Sequence, residues 1–285
     1  MSRPPFLTLP ACARAYRLAT SRGEFAVHDA VPAGAGGPAP TVLLVPGFTG
    51  SKEDFIALLE PLAAAGYRAV AVDGRGQHES GGPREESAYA QDELARDVLA
   101  QAQALGGSVH LLGHSMGGLV ARAAVLQDAA PFRSLTLMSC GPAAISPPQQ
   151  ARTRMLIDAL GELDMEGVWQ EMRRMDAEAA PAEPLPNALG AFLYDRWMGT
   201  LPEQLIAAGR QLTQEPDRTG ELAEVPLPVH VVSGGEDYAW PVPSIDAMAK
   251  ELSAARTVVD GASHSPNAER PAATAEALVR FWDLA

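Results

Sequence analysis

The chain has 285 residues, of which 47% are hydrophobic, and a formal net charge of −13 from 35 acidic and 22 basic residues. This length is sufficient to bury a full core in a single catalytic unit. No apolar run approaches the roughly 18 residues that a membrane-spanning helix requires, so we expect no membrane insertion. The negative charge repels phosphate backbones and anionic lipid headgroups, which argues against a nucleic-acid partner.

The two cysteines, Cys12 and Cys140, are too few for a disulfide framework in a chain of this size. We therefore predict reduced, structural thiols. The N-terminal segment, in which Arg3 precedes Pro4 to Pro10, is a poor imitation of a secretion signal, because its apolar stretch is short and interrupted by prolines. The sequence accordingly favours a cytoplasmic protein.

Eight apolar or β-branched runs recur along the chain, and most are separated by enough residues for a helix. The first two flank a turn at residues 21–23 and predict an opening hairpin. The spacing of the others predicts an α/β fold, in which helices cross over between the strands of a mostly parallel sheet. The predicted strands are Ala13–Ala19, Glu24–His28, Thr41–Val45, Arg68–Val72, Val109–Leu112, Ser134–Met138, Val229–Ser233 and Arg256–Val259.

Helical patterns fill the intervals, such as Glu53–Ala65 before Gly66 and Glu86–Leu105 before Gly106. Beyond Gly141 the strand signal disappears as far as Leu222, and apolar residues recur at spacings of three and four. This pattern predicts a helical cap over residues 142–222, inserted after the sixth strand. The cap would divide the core into residues 1–141 and 223–285.

Five of the nine methionines and two tryptophans fall within the predicted cap. Methionine fills irregular gaps well, so packing inside the cap is the simpler interpretation, and an adaptable apolar lid is the functional one. Pro181, Pro184 and Pro186 would mark the break between two helical halves. The residues concerned are Met155, Met165, Met172, Met175, Met198, Trp169 and Trp197.

The most informative motif is GxSxG at residues 113–117, with Ser115 at its centre. It follows the predicted strand Val109–Leu112 directly and precedes a helical pattern from Leu119 to Gln127. A tight strand-to-helix turn requires glycines on both sides of the serine. This context predicts that Ser115 is a nucleophile exposed at the end of a strand.

With this motif in this position, the chain resembles the α/β-hydrolase superfamily, in particular its capped esterases, monoacylglycerol lipases and related aminopeptidases. The resemblance covers nearly the whole length and includes the loops at residues 46–50 and 73–80. Many members of the group have a histidine-glycine pair where this chain has Pro46 and Gly47. The resemblance implies a serine hydrolase with an eight-stranded sheet, a cap after the sixth strand and a catalytic triad.

A serine hydroxyl must transfer its proton to a nearby base as it attacks, and histidine is the natural base. Both His78 and His264 lie in loops after predicted strands, where ligands enter open α/β sheets. The family's chain order of serine, acid and histidine favours His264, and the loop around His78 is mainly structural in the family. The other histidines lie in or at predicted strands or directly before the serine, namely His28, His110, His230 and His114.

The acid must orient the histidine and stabilise its positive charge. Asp237, just past the strand Val229–Ser233, fits the family's chain order best, and the adjacent Glu236 is the alternative. Asp73 lies after the fourth strand, where a structural role in the turn is its simpler interpretation.

The oxyanion of a tetrahedral intermediate also requires preorganised donors. We predict the backbone N–H groups of Met116, which follows the nucleophile at a helix N-terminus, and of Phe48, in the loop after the third strand. The ring of Phe48 could line the acyl pocket or belong to the core.

The sequence therefore predicts hydrolysis of a carboxylic ester, or of a thioester, lactone or amide, in a small and largely apolar acyl substrate. The alternatives are acyl transfer, carbon-carbon bond cleavage or perhydrolysis at the same site, and a noncatalytic binding module with the same fold. No phosphate-binding loop, dinucleotide fingerprint or metal-ligand spacing is found, so we expect neither cofactor nor metal. The sequence does not indicate an oligomeric state.

Overall fold

A computed structural model describes residues 2–34, 39–179 and 187–285, with backbone alone for 176–179. Eight strands form one sheet in the order β1-β2-β4-β3-β5-β6-β7-β8. The pairs β1–β2 and β2–β4 are antiparallel, and the other five pairs are parallel, as the hairpin and crossover patterns predict. The strands are β1 (Ala13–Thr20), β2 (Gly23–Ala30), β3 (Thr41–Val45), β4 (Arg68–Val72), β5 (Val109–His114), β6 (Phe132–Met138), β7 (Val229–Gly234) and β8 (Ala255–Val259).

Helices cover both faces of the sheet, which is why the central strands β3 and β5 are buried along their whole length. Side chains of α2, α3 and α9 form the core on one face, and those of α1 and α11 form it on the other. The helices are α1 (Ile56–Ala64), α2 (Gln91–Ala104), α3 (Met116–Gln127), α4 (Pro147–Glu162), α5 (Met165–Ala179), α6 (Asn187–Gly199), α7 (Pro202–Gln214), α8 (Thr219–Ala223), α9 (Val242–Glu251), α10 (Pro266–Glu269) and α11 (Pro271–Trp282).

The predicted fold class is confirmed, but two helix predictions were wrong in detail. The pattern at Glu86–Leu105 is a short 3₁₀ helix and then α2, because Ala90 between them has an extended backbone with ψ 145°. The pattern at Glu53–Ala65 likewise begins as a 3₁₀ turn at Lys52–Phe55. Hydrophobic spacing reports which face is buried, and it does not resolve a local change of helix type.

Five helices, α4 to α8, lie between β6 and β7 in the residues that the structure describes, and we call residues 142–222 the helical insertion. Its core consists of Leu160, Val168, Trp197 and Leu205, with Met165, Met172 and Trp169 packed against it. The prediction of methionine packing was wrong for Met155, Met175 and Met198, which are exposed. Apolar spacing alone could not show that these three lie outside the small core. The predicted break at Pro181, Pro184 and Pro186 lies outside the described residues.

Both cysteines are free thiols, and Cys140 is buried. No helix in the described part of the chain combines the length and the hydropathy needed to cross a bilayer.

Buried ion pairs join the insertion to the rest of the molecule. Arg196 of α6 donates to Asp54 at 2.8 Å, and both side chains are almost completely buried. Arg122 of α3 donates to Glu215 at 2.7 Å and to the carbonyl of Pro142 at 2.6 Å, and both of these partners belong to the insertion. Charged side chains are rarely buried unless they are paired, so each pair favours one placement of the insertion over the sheet.

We expect Arg196→Met to lower the free energy of unfolding by about 3–5 kcal/mol, because Asp54 would remain buried without its partner. Arg210→Met is the matched control, since Arg210 and Glu86 form a largely exposed pair whose loss should cost about 0–1 kcal/mol. Urea unfolding of both variants measures the difference. Equal stability of the two variants would show that the buried pair contributes no more than an exposed one.

Candidate active site

Ser115 lies in the sharp turn between β5 and α3, with φ 56° and ψ −121°, a conformation that is uncommon for a residue with a side chain. Its N–H donates to the carbonyl of Met138 on β6 at 2.8 Å. A Cβ at Gly113 would lie 2.2 Å from the carbonyl oxygen of Gly117, and a Cβ at Gly117 would lie 2.4 Å from that of Val45. The motif needs its two glycines because backbone occupies the space that a side chain would require.

His264 lies between β8 and α10, and Asp237 follows β7, so three separate loops meet at this edge of the sheet. The Nε2 atom of His264 lies 3.0 Å from the hydroxyl oxygen of Ser115. The Nδ1 atom of His264 lies 2.9 Å from both carboxylate oxygens of Asp237. Ser115 and His264 are only 8% and 7% exposed, which keeps most solvent away from these hydrogen bonds.

The carboxylate of Asp237 is oriented by its own turn. Its Oδ1 atom accepts the N–H groups of Ala239 at 2.7 Å and of Trp240 at 3.1 Å. An ionised carboxylate can only accept, so the Nδ1 atom of His264 must carry a proton, and its Nε2 atom is then free to accept the proton of Ser115. The geometry therefore supplies the tautomer that a general base requires.

The alternative residues lie elsewhere. His78 lies at the junction with the insertion. Its ring is edge-on to that of Phe192, with the ring centroids 5.7 Å apart, and its backbone N–H donates to the hydroxyl of Thr200. Glu236 is exposed to solvent next to Asp237.

Asp73 accepts both the backbone N–H of Lys52, at 2.7 Å, and its ammonium group, at 3.0 Å, which agrees with a structural role. The ammonium also contacts Glu53 and Glu79, at 2.9 and 2.8 Å. Burial opposes the positive charge of Lys52, but attraction to Asp73 and Glu53 outweighs it and raises the pKa of Lys52. This cluster holds together the loops after β3 and β4.

The two predicted oxyanion donors belong to segments that are in contact. A Cβ at Gly47 would lie 3.0 Å from the Cβ of Ser115, so the loop after β3 passes directly beside the serine. The side-chain amide of Gln77 donates to the carbonyl of Gly47 at 3.0 Å and so holds this loop in place. Met116 is the first residue of α3, where N–H groups lack partners within the helix and favour negative charge.

Apolar and aromatic side chains surround the site. Phe48 packs against both the main core and the core of the insertion, so its predicted roles as core residue and as pocket lining are compatible. The ring of Tyr238 contacts that of His264, with the ring centroids 4.6 Å apart and the ring planes tilted by 46°. The contacts of Gln77 and Tyr238 were not predicted from the sequence, although both residues lie in loops after strands. In the described part of the chain, no cluster of His, Cys, Asp and Glu could hold a metal ion.

A serine with a positive φ at the end of a central strand, next to a histidine and in this sheet topology, is the arrangement of an α/β-hydrolase fold. The family model "Alpha/beta hydrolase family" matches residues 42–277. The chain therefore belongs to the alpha/beta hydrolase family.

One curated relative is the dihydrolipoyllysine-residue acetyltransferase component of the acetoin cleaving system of Cupriavidus necator, which is 31% identical over 251 residues. The match covers 82% of this chain and 61% of that protein, so the chain spans less than two thirds of its relative. A solved hydrolase from Pseudomonas aeruginosa PA01 aligns with a TM-score of 0.74 at 24% identity, over 94% of this chain and 98% of the other. An esterase from Thermogutta terrifontis aligns with a TM-score of 0.74 at 23% identity, over 95% and 99%. At these identities, the two structures support the fold alone.

Proposed function

We propose that the protein is a serine hydrolase that cleaves a carboxylic ester through an acyl-serine intermediate. The observation that carries this proposal is the continuous hydrogen-bonded relay from Ser115 through His264 to Asp237. In this proposal Ser115 is the nucleophile, His264 the general base and Asp237 the residue that orients the imidazole. A binding module without catalysis would not require such a relay, so the relay favours an enzyme.

The proposed reaction has two steps. The Ser115 oxygen attacks the ester carbonyl while its proton moves to Nε2 of His264, and the N–H groups of Phe48 and Met116 stabilise the oxyanion. The imidazolium, stabilised by Asp237, then protonates the leaving alcohol as the carbon-oxygen bond breaks. In the second step, water gives a proton to Nε2 as its oxygen attacks the acyl carbonyl. The imidazolium then returns this proton to the Ser115 oxygen as the acyl-oxygen bond breaks, which releases the acid and restores Ser115 and the neutral His264.

The surroundings of the relay support a small and largely apolar acyl substrate. Phe48, beside the proposed oxyanion site, also touches the apolar core of the helical insertion. We therefore infer that residues 142–222 act as a cap over a core formed by residues 1–141 and 223–285, and that the acyl group binds between them. An apolar pocket with few polar groups suits an acyl chain better than a highly charged substrate.

Two assays on the purified protein test the proposal. A fluorophosphonate should label Ser115, identified by peptide mapping, and p-nitrophenyl esters of increasing acyl length should be hydrolysed with saturation kinetics. The rate is expected to depend on acyl length, because a covered pocket has a limited volume. Failure of the fluorophosphonate to label Ser115 would contradict the proposed nucleophile.

Acyl transfer at the same site is a second candidate, favoured by the name of the Cupriavidus necator relative, an acetyltransferase component. A competing alcohol added to the ester assay separates the two functions. Partition of the acyl group mainly to the acid supports a hydrolase, and partition mainly to a new ester supports a transferase.

A further inference from the structure

His114 precedes Ser115 in the chain, and its side chain is almost completely buried. It is 2% exposed. Its Nε2 atom lies 2.8 Å from the backbone carbonyl oxygen of His264, a residue 150 positions further along the chain. The two imidazole rings lie 5.2 Å apart between centroids.

The contact determines the protonation of His114. A carbonyl oxygen can only accept, so Nε2 must carry the proton. The Nδ1 atom of His114 has no hydrogen-bond partner within residues 2–34, 39–179 and 187–285. Burial lowers the pKa of His114 to about 4, and the neighbouring His264 contributes in the same direction. The side chain is therefore a neutral donor at physiological pH.

The loop that carries His264 is attached to the sheet on two sides. At the end of β7, Gly235 donates its N–H to the carbonyl of Ala262 at 3.0 Å. At the end of β5, His114 donates to the carbonyl of His264 itself. The donor His114 and the nucleophile Ser115 are consecutive residues of one rigid turn, so the turn that aims the serine also holds the backbone of its base.

We propose that His114 is a positioning residue, which sets the distance between Ser115 and His264 by holding the backbone of the His264 loop. This inference rests on the proposed function of the site. A hydrogen bond to the backbone leaves both nitrogens of the His264 ring available for Ser115 and Asp237. Displacement of a reacting group by about 1 Å can cost about a hundredfold in rate, so a small shift of this loop would be measurable.

Two substitutions separate the hydrogen bond from the packing. His114→Gln retains an N–H donor at a similar reach, and His114→Leu fills similar space without a donor. We expect His114→Leu to lower kcat by about 10- to 100-fold and to slow fluorophosphonate labelling, with KM within about twofold of wild type. His114→Gln should restore kcat to within about fivefold of wild type. If His114→Leu does not fold, His114→Met replaces it.

Equal kcat values for the Leu and Gln variants, whether both high or both low, would overturn the proposal, because the loss would not follow the donor. A change confined to KM would also overturn it. Urea unfolding of each variant shows whether a change in kcat follows stability instead of the donor, which would likewise overturn it. Absence of labelling in the wild-type protein would contradict the proposed function itself, so the two failures are distinguishable.

Discussion

Replacement of Ser115 by alanine is expected to lower kcat for a p-nitrophenyl ester by about a million-fold. The variant would retain the proposed oxyanion donors and the pocket, but no atom that could form the acyl intermediate. The fold should persist, because the side-chain oxygen of Ser115 contacts only His264 among the hydrogen bonds of the described residues. Steady-state kinetics and loss of fluorophosphonate labelling measure the effect.

Ser139→Ala is a matched control for this experiment. Ser139 follows the neighbouring strand β6, is buried and also has a positive φ of 47°. Its hydroxyl has no hydrogen-bond partner in the part of the chain that the structure describes, so its removal should change kcat by less than about tenfold. A Ser115→Ala variant that retained activity comparable to Ser139→Ala would exclude Ser115 as the nucleophile.

Replacement of Asp237 by asparagine is expected to lower kcat by about ten-thousand-fold. The Oδ1 atom of asparagine can still accept the N–H groups of Ala239 and Trp240, which places the amide NH₂ group towards His264. The Nδ1 atom of His264 must then accept, and the ring proton moves to Nε2, facing Ser115. In that tautomer the imidazole cannot take the serine proton.

The control for Asp237 is Glu236→Gln, which makes the same chemical change one residue earlier at an exposed position. We expect kcat to remain within about twofold of wild type, since an exposed carboxylate contributes little. Kinetics at several pH values should show the loss in Asp237→Asn across the whole range. If Glu236→Gln were the crippling change, the assignment of the acid would be wrong.

Much of the fold could be predicted from the sequence because its signals are local. A strand is a short apolar or β-branched run, and all eight predicted runs correspond to strands whose ends differ from the prediction by a few residues. The turn at Ser115 also has a local signal, because Gly113 lies against the backbone of Gly117, four residues further along the chain. The loss of strand-like apolar runs after Cys140 is also a local signal, and it predicted the helical insertion.

The choice of site residues needed more than local pattern. The family's chain order selected His264 over His78, and Asp237 over Glu236, and the structure brings the selected residues within hydrogen-bonding distance of one another. The positions of both oxyanion donors remain a prediction, supported by the close approach of Gly47 to Ser115.

The succession of strands and helices along the chain and the glycine-flanked serine could be predicted from the sequence alone, because their signals lie mostly within a few residues. The folded structure was needed to show that Arg196 pairs with Asp54, that three methionines are exposed to solvent and that His114 contacts the backbone of His264. Such contacts join residues more than a hundred positions apart or depend on which helix face is covered. No periodicity along the chain encodes them, because they arise only when packing brings separate elements together.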